Sequence, residues 1–537
     1  MLYERDSRKR FLPANHWLMT GKLEIEDFIN AVIVEEKQNQ EQEDDSSDEA
    51  EDIMAVTQGD DYRPHSTFAS QRLSRHARIE RLRATQRRAL RERRLAEMGP
   101  KLEILKHIPF VVPFEVRVKI FRQFIELDRN RREGGLPNFF ARHHGEIRRG
   151  KLFEDAFRAF YPLGAGFKDP IQITFFDQFN TPEAGIDGGG VTKEFLISVT
   201  AEAFGNVGMF TSNEKGLLYP NPVTVDALRE KMRRRGLSEL SDAWRDSMSN
   251  LLKKYEFLGR IIGKCMYEGI LVDLAFAGFF LLKWPSPGPK EENSYKGSIN
   301  DLQDMDEELY KGLLRLKNYT GDVSELGFDF TVTDQISAQG EQPIKTISRK
   351  LIANGDEVPV TNDNRLLYIS YTARHRLVVQ PALQTAAFLR GLRDIIRPSW
   401  LSMFNQSELQ RLVGGDSLDI DIDDLRRNTM YSGVYIIGDD GLEHPTIQMF
   451  WNVMAGLTDA QRRDVLKYVS STPRAPLLGF SQLRPKFCIR DAGSDEDRLP
   501  STSTCINLLK LPIYKKESTL REKLLYAVNS GAGFDLS

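Results

Sequence analysis

The segment from Asn250 to Trp284 places the strongest constraint on the fold. It reads NLLKKYEFLGRIIGKCMYEGILVDLAFAGFFLLKW, and its apolar residues occur nearly all round a helix instead of along one stripe. A helix that is apolar on every side must be buried, so the segment predicts a buried helix pair. Helical patterns also dominate from Phe139 to Val413, which predicts a large, mostly α-helical body.

Composition and charge exclude several classes of protein. The 537 residues include 74 basic and 77 acidic side chains, and the formal net charge of -3 favours neither nucleic acid nor a membrane surface as a partner. No apolar run reaches the ~20 residues that a membrane helix needs, and the N-terminus lacks the apolar region of a signal peptide. Three widely spaced cysteines make neither a disulfide framework nor a metal-binding pattern. We therefore expect a protein of the cytoplasm, the nucleus or both, without a metal or cofactor.

The N-terminal region, residues 1–100, is uneven in composition. An acidic run from Glu41 to Asp52 predicts disorder, and the arginine-rich stretch from Gln71 to Gly99 predicts a solvated basic helix. A nucleic-acid-binding arm is the alternative for that stretch. No aromatic residue interrupts its arginines to stack on bases, so the solvated helix is favoured.

The rest of the chain divides into a brace, a body, a hinge and a terminal lobe. Residues 101–138 predict an amphipathic brace helix, and residues 139–413 form the helical body, with a small subdomain inserted at about 295–362. Gly414 and Gly415 predict a hinge over residues 414–418, and residues 419–537 predict a compact α/β lobe. The apolar residues of the brace recur at helical spacing at Phe114, Val118, Phe121 and Ile125.

Short patterns in the terminal lobe predict both strands and helices. VYIIG, residues 434–438, and KFCIR, residues 486–490, are strand-like. Three further segments have helical periodicity: IQMFWNVMAGL, DAQRRDVLKYV and STLREKLLYAVNS.

Two glycine-rich stretches fail as phosphate-binding loops. GRIIGKC, from Gly259, has three residues between its glycines instead of four, and Cys265 stands where a serine or threonine would hold magnesium. IDGGGVTKEF, from Ile186, fails likewise. We interpret both as turns or as glycines that allow close helix packing.

The three cysteines have different surroundings. Cys265 lies within an apolar helical pattern and is expected in the core, and Cys488 lies in an apolar strand pattern with no polar neighbour. Cys505 follows the hydroxyl-rich sequence RLPSTST and precedes the apolar INLLKLPIY, which places it at the mouth of a loop. Its residues alone leave a functional thiol and a small buried cysteine equally open.

The histidines bear on what Cys505 could do. A cysteine protease needs a histidine to deprotonate the thiol, but none follows Cys505, and His444 lies in a turn-like sequence. An unassisted thiol, with a pKa of ~8.5, is poor at opening an amide but adequate for exchange with an activated thioester. The pattern therefore favours acyl relay over hydrolysis.

LPSTSTCINLLKLPIY, from Leu499 to Tyr514, resembles the signature around the active cysteine of HECT-type ubiquitin ligases, LP-x-x-x-T-C-x-N-x-L-x-LP-x-Y. FFDQFNTPEAGIDGGGVTKEF resembles the family's E-x-G-x-D-x-GG-x-x-x-EF element, and YEFLGRIIGKCMYEGILVDLAF resembles its helical core. The resemblance runs from about Phe139 to Ser537. It implies an α+β, bilobal HECT domain with a mostly α-helical N-lobe that carries a small α/β subdomain, a flexible hinge and an α/β C-lobe.

One position departs from the pattern. Many HECT ligases have histidine two residues before the active cysteine, where this chain has Ser503. The TSTC sequence, the AGF-x-LS ending and the brace nevertheless resemble the proteasome-associated, chain-elongating branch of the family. The resemblance to that branch adds the proteasome as an expected partner.

The resemblance also implies the reaction and its residues. Cys505 would accept ubiquitin as a thioester from a ubiquitin-conjugating enzyme and pass it to lysines of a substrate or of ubiquitin, building chains for proteasomal degradation. Thr504 would lie near the thioester, Phe534 would hold the lobes for the second transfer, and Asp535 would orient or deprotonate the amine. Hinge motion at Gly414 and Gly415 would carry the loaded lobe. The groove for the conjugating enzyme would be lined by Leu313, Leu316, Tyr319, Leu326 and Phe328.

Two other functions remain as alternatives. One is a degenerate ligase that binds ubiquitin or the proteasome without catalysis, although the intact TC-x-N sequence argues against it. The other is a cysteine hydrolase. Because only about 140 residues precede the catalytic region, where relatives usually carry long substrate-selecting regions, we expect a truncated product or targets delivered through a partner.

Overall fold

A computed structural model describes residues 2–8, 11–13, 15–19, 28–33, 86, 99–133, 143–177, 179–183, 190–205, 208–286, 295–337, 344–415, 419–439 and 441–530. The chain forms two compact units. The first comprises Met1–Asn138 with Ser402–Phe404, and the second comprises Phe139–Leu401 with Asn405–Ser537. The predictions for the acidic run and for nearly all of the basic stretch lie outside the described residues. In the part of the chain that is described, no helix is both long and apolar enough to cross a membrane.

In the first unit, helix α1 spans Leu2–Arg8, residues 28–33 and 99–107 are helical, and α2 spans Phe114–Glu133. The apolar residues predicted for the brace are buried along α2. Arg117 donates hydrogen bonds to the carbonyl oxygens of Val112 and Met403, at 2.9 and 2.6 Å. The brace is not one helix over residues 101–138, because residues 108–113 interrupt it with a 3-10 turn at Pro109–Val111.

The N-terminal part of the second unit, residues 143–415, contains eleven helices within its described residues. They are α3 Leu152–Phe160, α4 Gly190–Gly205, α5 Thr224–Arg234, α6 Asp242–Glu268, α7 Gly278–Leu281, α8 Ile299–Leu302, α9 Glu307–Lys317, α10 Arg365–Arg374, α11 Ala382–Ile395, α12 Pro398–Leu401 and α13 Gln406–Gly414. Six strands form three two-stranded sheets: β1 His143–Arg148 with β2 Ile171–Phe176, β3 Phe210–Ser212 with β4 Leu218–Pro220, and β5 Thr331–Gln335 with β6 Thr346–Lys350. The body is therefore mostly α-helical, as predicted.

The buried helix pair consists of α6 and α11, which pack closely along their lengths. Two glycines explain the close approach. A β-carbon on Gly259 would stand 1.9 Å from the carbonyl oxygen of Phe388, and one on Gly391 would stand 1.8 Å from that of Glu256. Only glycine fits at such contacts, so the packing interpretation of GRIIGKC is confirmed. The prediction that both helices lie within Asn250 to Trp284 was wrong, because the chain turns at Gly269 and the second helix comes from residues 382–395.

The C-terminal part, residues 419–530, is an α/β lobe. Its helices are α14 Ile422–Arg427, α15 Pro445–Gly456, α16 Asp459–Ser470 and α17 Glu517–Ser530. Its strands are β7 Met430–Ser432, β8 Cys488–Asp491, β9 Ser501–Ser503 and β10 Leu508–Leu511, in the sheet order β7-β8-β10-β9. Strand β9 is antiparallel to β10, and the other neighbours are parallel. The three predicted helices and the KFCIR strand are confirmed.

The strand predicted at VYIIG was wrong. The chain leaves the sheet at Gly433, whose φ is +66°, and continues as a 3-10 turn over Gly433–Tyr435. The Asp491 carboxylate accepts a hydrogen bond from the Val434 backbone at 3.0 Å, which fixes that turn. Ile436 and Ile437 are exposed instead of pairing in a strand.

Candidate functional site

Cys505 lies in a tight connection between strands β9 and β10. Thr504–Ile506 form a single 3-10 turn, and Asn507 then adopts the left-handed conformation with φ +52°. Asparagine tolerates this conformation better than most residues do. We call residues 504–507 the Cys505 loop. The sequence predicted a loop mouth held by ordered structure, and the loop is held by strands on both sides.

Three buried tyrosines of the C-terminal lobe fix the backbone that flanks the Cys505 loop. Tyr468 donates to the carbonyl oxygen of Pro500 at 2.8 Å, just before β9. Tyr435 and Tyr514 donate to backbone oxygens of Leu511 and Arg498, at 2.9 and 2.6 Å. Burial raises the pKa of both Tyr435 and Tyr514, so each phenol remains a donor near neutral pH. Sequence analysis missed all three, since buried aromatic residues are common in any core.

The Cys505 loop also contacts the N-terminal part of the unit. Lys193, in the first turn of α4, donates to the side-chain oxygen of Asn507 at 2.5 Å and to the Thr504 carbonyl oxygen at 3.5 Å. Lys193 is 7% exposed and Asn507 is fully buried. Sequence analysis did not single out Lys193, although a charge within the apolar run VTKEFLISV was a signal that it needed a partner.

Cys265 lies in the core and Cys488 in a strand, as the sequence predicts, but Cys488 has a polar neighbour that the sequence did not predict. Cys265 is 1% exposed within α6, and burial raises the pKa of its thiol to about 12. Cys488 is partly buried in β8, with its sulfur 3.7 Å from the Ser432 hydroxyl. His444 caps the start of α15 by accepting a hydrogen bond from the Thr446 backbone at 3.2 Å. His444 thus lies where a non-helical segment gives way to a helix.

The predicted hinge glycines lie between the two parts of the second unit. Gly414 ends α13, and Gly415 has a φ of +87°, which favours glycine. A β-carbon on Gly415 would stand 2.9 Å from the side chain of Leu271 on one side and 2.9 Å from the carbonyl oxygen of Ala475 on the other. The chain thus turns in a space that has no room for a side chain.

The five residues predicted for a groove separate into two groups. Leu313 and Leu316 face inward from α9, with 5% and 8% exposure. Tyr319, Leu326 and Phe328 are exposed by 38%, 40% and 45%. The structure therefore leaves only the second group available at the surface, while the first group has the core position that ordinary packing predicts.

Helix α10 extends this exposed apolar surface. Phe328 stacks on Tyr368 of α10, with ring centroids 6.3 Å apart, and Arg365 donates to the Tyr319 carbonyl oxygen at 2.6 Å. The same helix exposes Leu366, Leu367 and Tyr371. Sequence analysis missed α10, because apolar residues in a helix are usually read as core. We call Tyr319, Leu326, Phe328, Leu366 and Leu367 the apolar face.

The remaining predicted residues, Phe534 and Asp535, lie outside the described residues.

A match to a known protein family identifies the family of this chain. Residues 197–537 match the HECT-domain (ubiquitin-transferase) family. The chain belongs to the HECT family. The resemblance predicted from the sequence, and the α+β bilobal fold class that it implied, are confirmed. We refer below to the N-terminal part, residues 143–413, as the N-lobe and to the C-terminal part, residues 419–530, as the C-lobe.

Several ubiquitin ligases are similar to this HECT chain along its whole length. A probable E3 ubiquitin protein ligase of Schizosaccharomyces pombe is 39% identical over 100% of this chain and 44% of its own length. The E3 ubiquitin-protein ligase HUL5 of Saccharomyces cerevisiae is 37% identical over 100% and 55%, and the ubiquitin-protein ligase E3B of Homo sapiens is 32% identical over 100% and 44%. The chain thus spans about half the length of the curated relatives that it matches.

Proposed function

We propose that this chain is a HECT-type ubiquitin transferase that carries ubiquitin as a thioester on Cys505. The observation that carries the proposal is the position of the TC-x-N sequence, on the turn between β9 and β10 in the C-lobe of a HECT family member. Strands on both sides hold the turn, and three buried tyrosines fix the backbone that flanks it. Rigid positioning can supply effective molarities of about 10⁵ M or more in acyl transfer.

The reaction has two steps. In loading, the Cys505 thiolate attacks the thioester carbon on a ubiquitin-conjugating enzyme. A new carbon–sulfur bond forms, and the conjugating enzyme leaves with its thiolate. In ligation, a lysine amine attacks the same carbon, the bond to Cys505 breaks with its electron pair on sulfur, and the amine proton passes to water. Neither step needs a metal or an organic cofactor.

The apolar face is the proposed docking surface for the ubiquitin-conjugating enzyme. An exposed cluster of aromatic and leucine side chains is the composition expected at the centre of a protein interface. Leu313 and Leu316 are buried and are therefore not part of this surface.

The proposal extends to the product and the setting. Ubiquitin lysines and protein substrates are the acceptors, polyubiquitin chains for proteasomal degradation are the product, and the proteasome is a further partner. The reaction takes place in the cytoplasm, the nucleus or both. Phe534 and Asp535 act in ligation, the first by holding the lobes and the second by orienting the amine.

The test is a loading assay with ubiquitin-activating enzyme, a ubiquitin-conjugating enzyme and ubiquitin. The expected result is a conjugate that reductant removes in the wild type and that is absent from Cys505→Ala. Shortening Phe534 to Ala should spare loading and slow ligation. Absence of a reducible wild-type conjugate, across a panel of conjugating enzymes, would refute the proposal. Release of a ubiquitin amide reporter without any conjugating enzyme would instead favour hydrolysis.

A further inference from the structure

Lys193 and Asn507 join the two lobes at the Cys505 loop. The two residues are 314 positions apart in the chain, and both are buried where α4 meets the loop. A buried ammonium group is costly unless hydrogen-bond acceptors surround it. The loop supplies two such acceptors, the Asn507 side-chain oxygen and the Thr504 carbonyl oxygen. These acceptors come from the residue just before Cys505 and the residue two positions after it.

Asn507 also bonds other parts of the C-lobe, so the contact with Lys193 involves more than the loop. Its side-chain nitrogen donates to the Pro485 carbonyl oxygen. Its backbone carbonyl oxygen accepts a hydrogen bond from the Cys488 backbone N–H at 3.0 Å. The first bond orients the Asn507 side-chain amide so that its oxygen faces α4, and the second joins the loop backbone to β8. A contact with Lys193 therefore locates the whole Cys505 loop against the N-lobe, and not only one side chain.

We propose that Lys193 is a positioning residue for ligation, which holds the loaded Cys505 loop against the N-lobe while the amine attacks. This inference rests on the proposed function. The location favours ligation over loading, because α4, residues 190–205, is a different part of the chain from residues 319–367, which carry the apolar face. A loop docked on α4 is thus held at a different surface from the one proposed for the conjugating enzyme.

The expected chemical role follows from the bonds that change. During ligation the amine nitrogen bonds to the thioester carbon while the carbon–sulfur bond to Cys505 breaks. Lys193 takes no proton in this step; it bonds the loop that carries the sulfur. It acts by limiting the orientations of the thioester, and misplacement of a reacting group by about 1 Å can cost on the order of 100-fold in rate.

The test uses the full chain, loaded with labelled ubiquitin and then chased with unlabelled ubiquitin after the activating enzyme is stopped. Three variants are compared with the wild type: Lys193→Met, Asn507→Ala and the double variant. Methionine removes the charge and the donor but keeps most of the length. The ligation rate is measured over a range of acceptor ubiquitin concentrations, and loading is measured separately.

We expect each single variant to load within about twofold of the wild type and to lower the maximal ligation rate about 10- to 100-fold, with little change in the KM for acceptor ubiquitin. The double variant should ligate within about threefold of the slower single variant, because the two residues share one contact. Lys467→Met is the matched control. It breaks another lobe-to-lobe bond, the 2.9 Å pair of Lys467 with Asp273, which is separate from the Lys193 bonds to the loop, and should ligate at the wild-type rate.

The outcomes separate this inference from the proposed function. A wild type that forms no reducible conjugate refutes the proposed function itself. A wild type that loads and ligates, beside a Lys193→Met variant with wild-type ligation, refutes only the role of Lys193. Equal loss of loading and ligation, multiplicative effects in the double variant or an equally slow Lys467→Met would also refute that role.

Discussion

Gly415 lies so close to Ala475 that a β-carbon on the glycine would stand 2.9 Å from the alanine carbonyl oxygen. Its φ of +87° adds a second cost for any other residue. Together these features mean that the backbone conformation of the predicted hinge depends on where the C-lobe backbone lies.

Replacing Gly415 by Ala should therefore disfavour this lobe arrangement by about 1–3 kcal/mol, the usual cost of a strained backbone. We expect slower ligation in a single-turnover chase, while circular dichroism shows both lobes folded. Gly441→Ala is the control, because Gly441 has a similar φ of +69° but open space around it. If Gly415→Ala and Gly441→Ala ligate at the same rate, the backbone conformation at Gly415 has no role in ligation.

Truncating Phe328 should weaken loading without unfolding the protein. The ring is 45% exposed at the apolar face, so Phe328→Ala removes contact area that is available to a partner. We expect half-maximal loading to need about tenfold more conjugating enzyme. This change corresponds to a loss of ~1.4 kcal/mol in binding free energy. Leu240→Ala removes an apolar side chain that is 82% exposed elsewhere and should have no effect. A similar rise in both variants would contradict the assigned surface.

Leu313 should instead affect stability. Its side chain is 5% exposed, so Leu313→Ala leaves a cavity and should lower the free energy of unfolding by about 2–5 kcal/mol. Urea denaturation measures this loss. An unchanged midpoint would mean that Leu313 is more accessible than the structure shows.

Asp334 should make stability depend on pH. Burial alone would raise its pKa, but the hydrogen bond with His375 and the charges of Arg376 and Arg349 outweigh burial and hold the pKa below its ordinary value. A carboxyl group whose pKa is lower in the folded state stabilises that state at pH values above its unfolded pKa of about 3.9. This contribution is lost as the pH falls through the folded-state pKa.

Asp334→Asn should cost about 3–5 kcal/mol at pH 7, because it removes one partner of a buried ionic cluster. The difference from the wild type should shrink below about pH 4, where the carboxyl of the unfolded wild type becomes protonated while that of the folded protein is still ionised. Urea denaturation of both proteins from pH 7 to pH 3 measures the difference. A gap that stays constant over this range would contradict the ionic role of Asp334.

Cys265 should not react with alkylating reagents in the native protein. With a pKa raised to about 12 and 1% exposure, its thiol has almost no thiolate at pH 8. Iodoacetamide treatment followed by mass spectrometry should therefore find Cys265 unmodified until denaturant is added. Modification at a rate similar to that of a free thiol would show that α6 opens readily.

The sequence alone determined the family, the position of Cys505 after a hydroxyl-rich segment and before an apolar one, and most helices of the C-lobe. These features depend on residues that are neighbours in the chain, where the spacing of apolar residues reflects helix and strand geometry. The same local reasoning failed at VYIIG, where a distant carboxylate, Asp491, turns the chain out of the sheet.

Only the tertiary structure decided which distant residues meet. It paired α6 with α11 through Gly259 and Gly391, and it placed Lys193 on the loop that carries Cys505. It also separated the predicted groove residues into buried and exposed groups. Apolar spacing shows that a helix has a face to bury, but the partner of that face depends on packing between segments far apart in the chain.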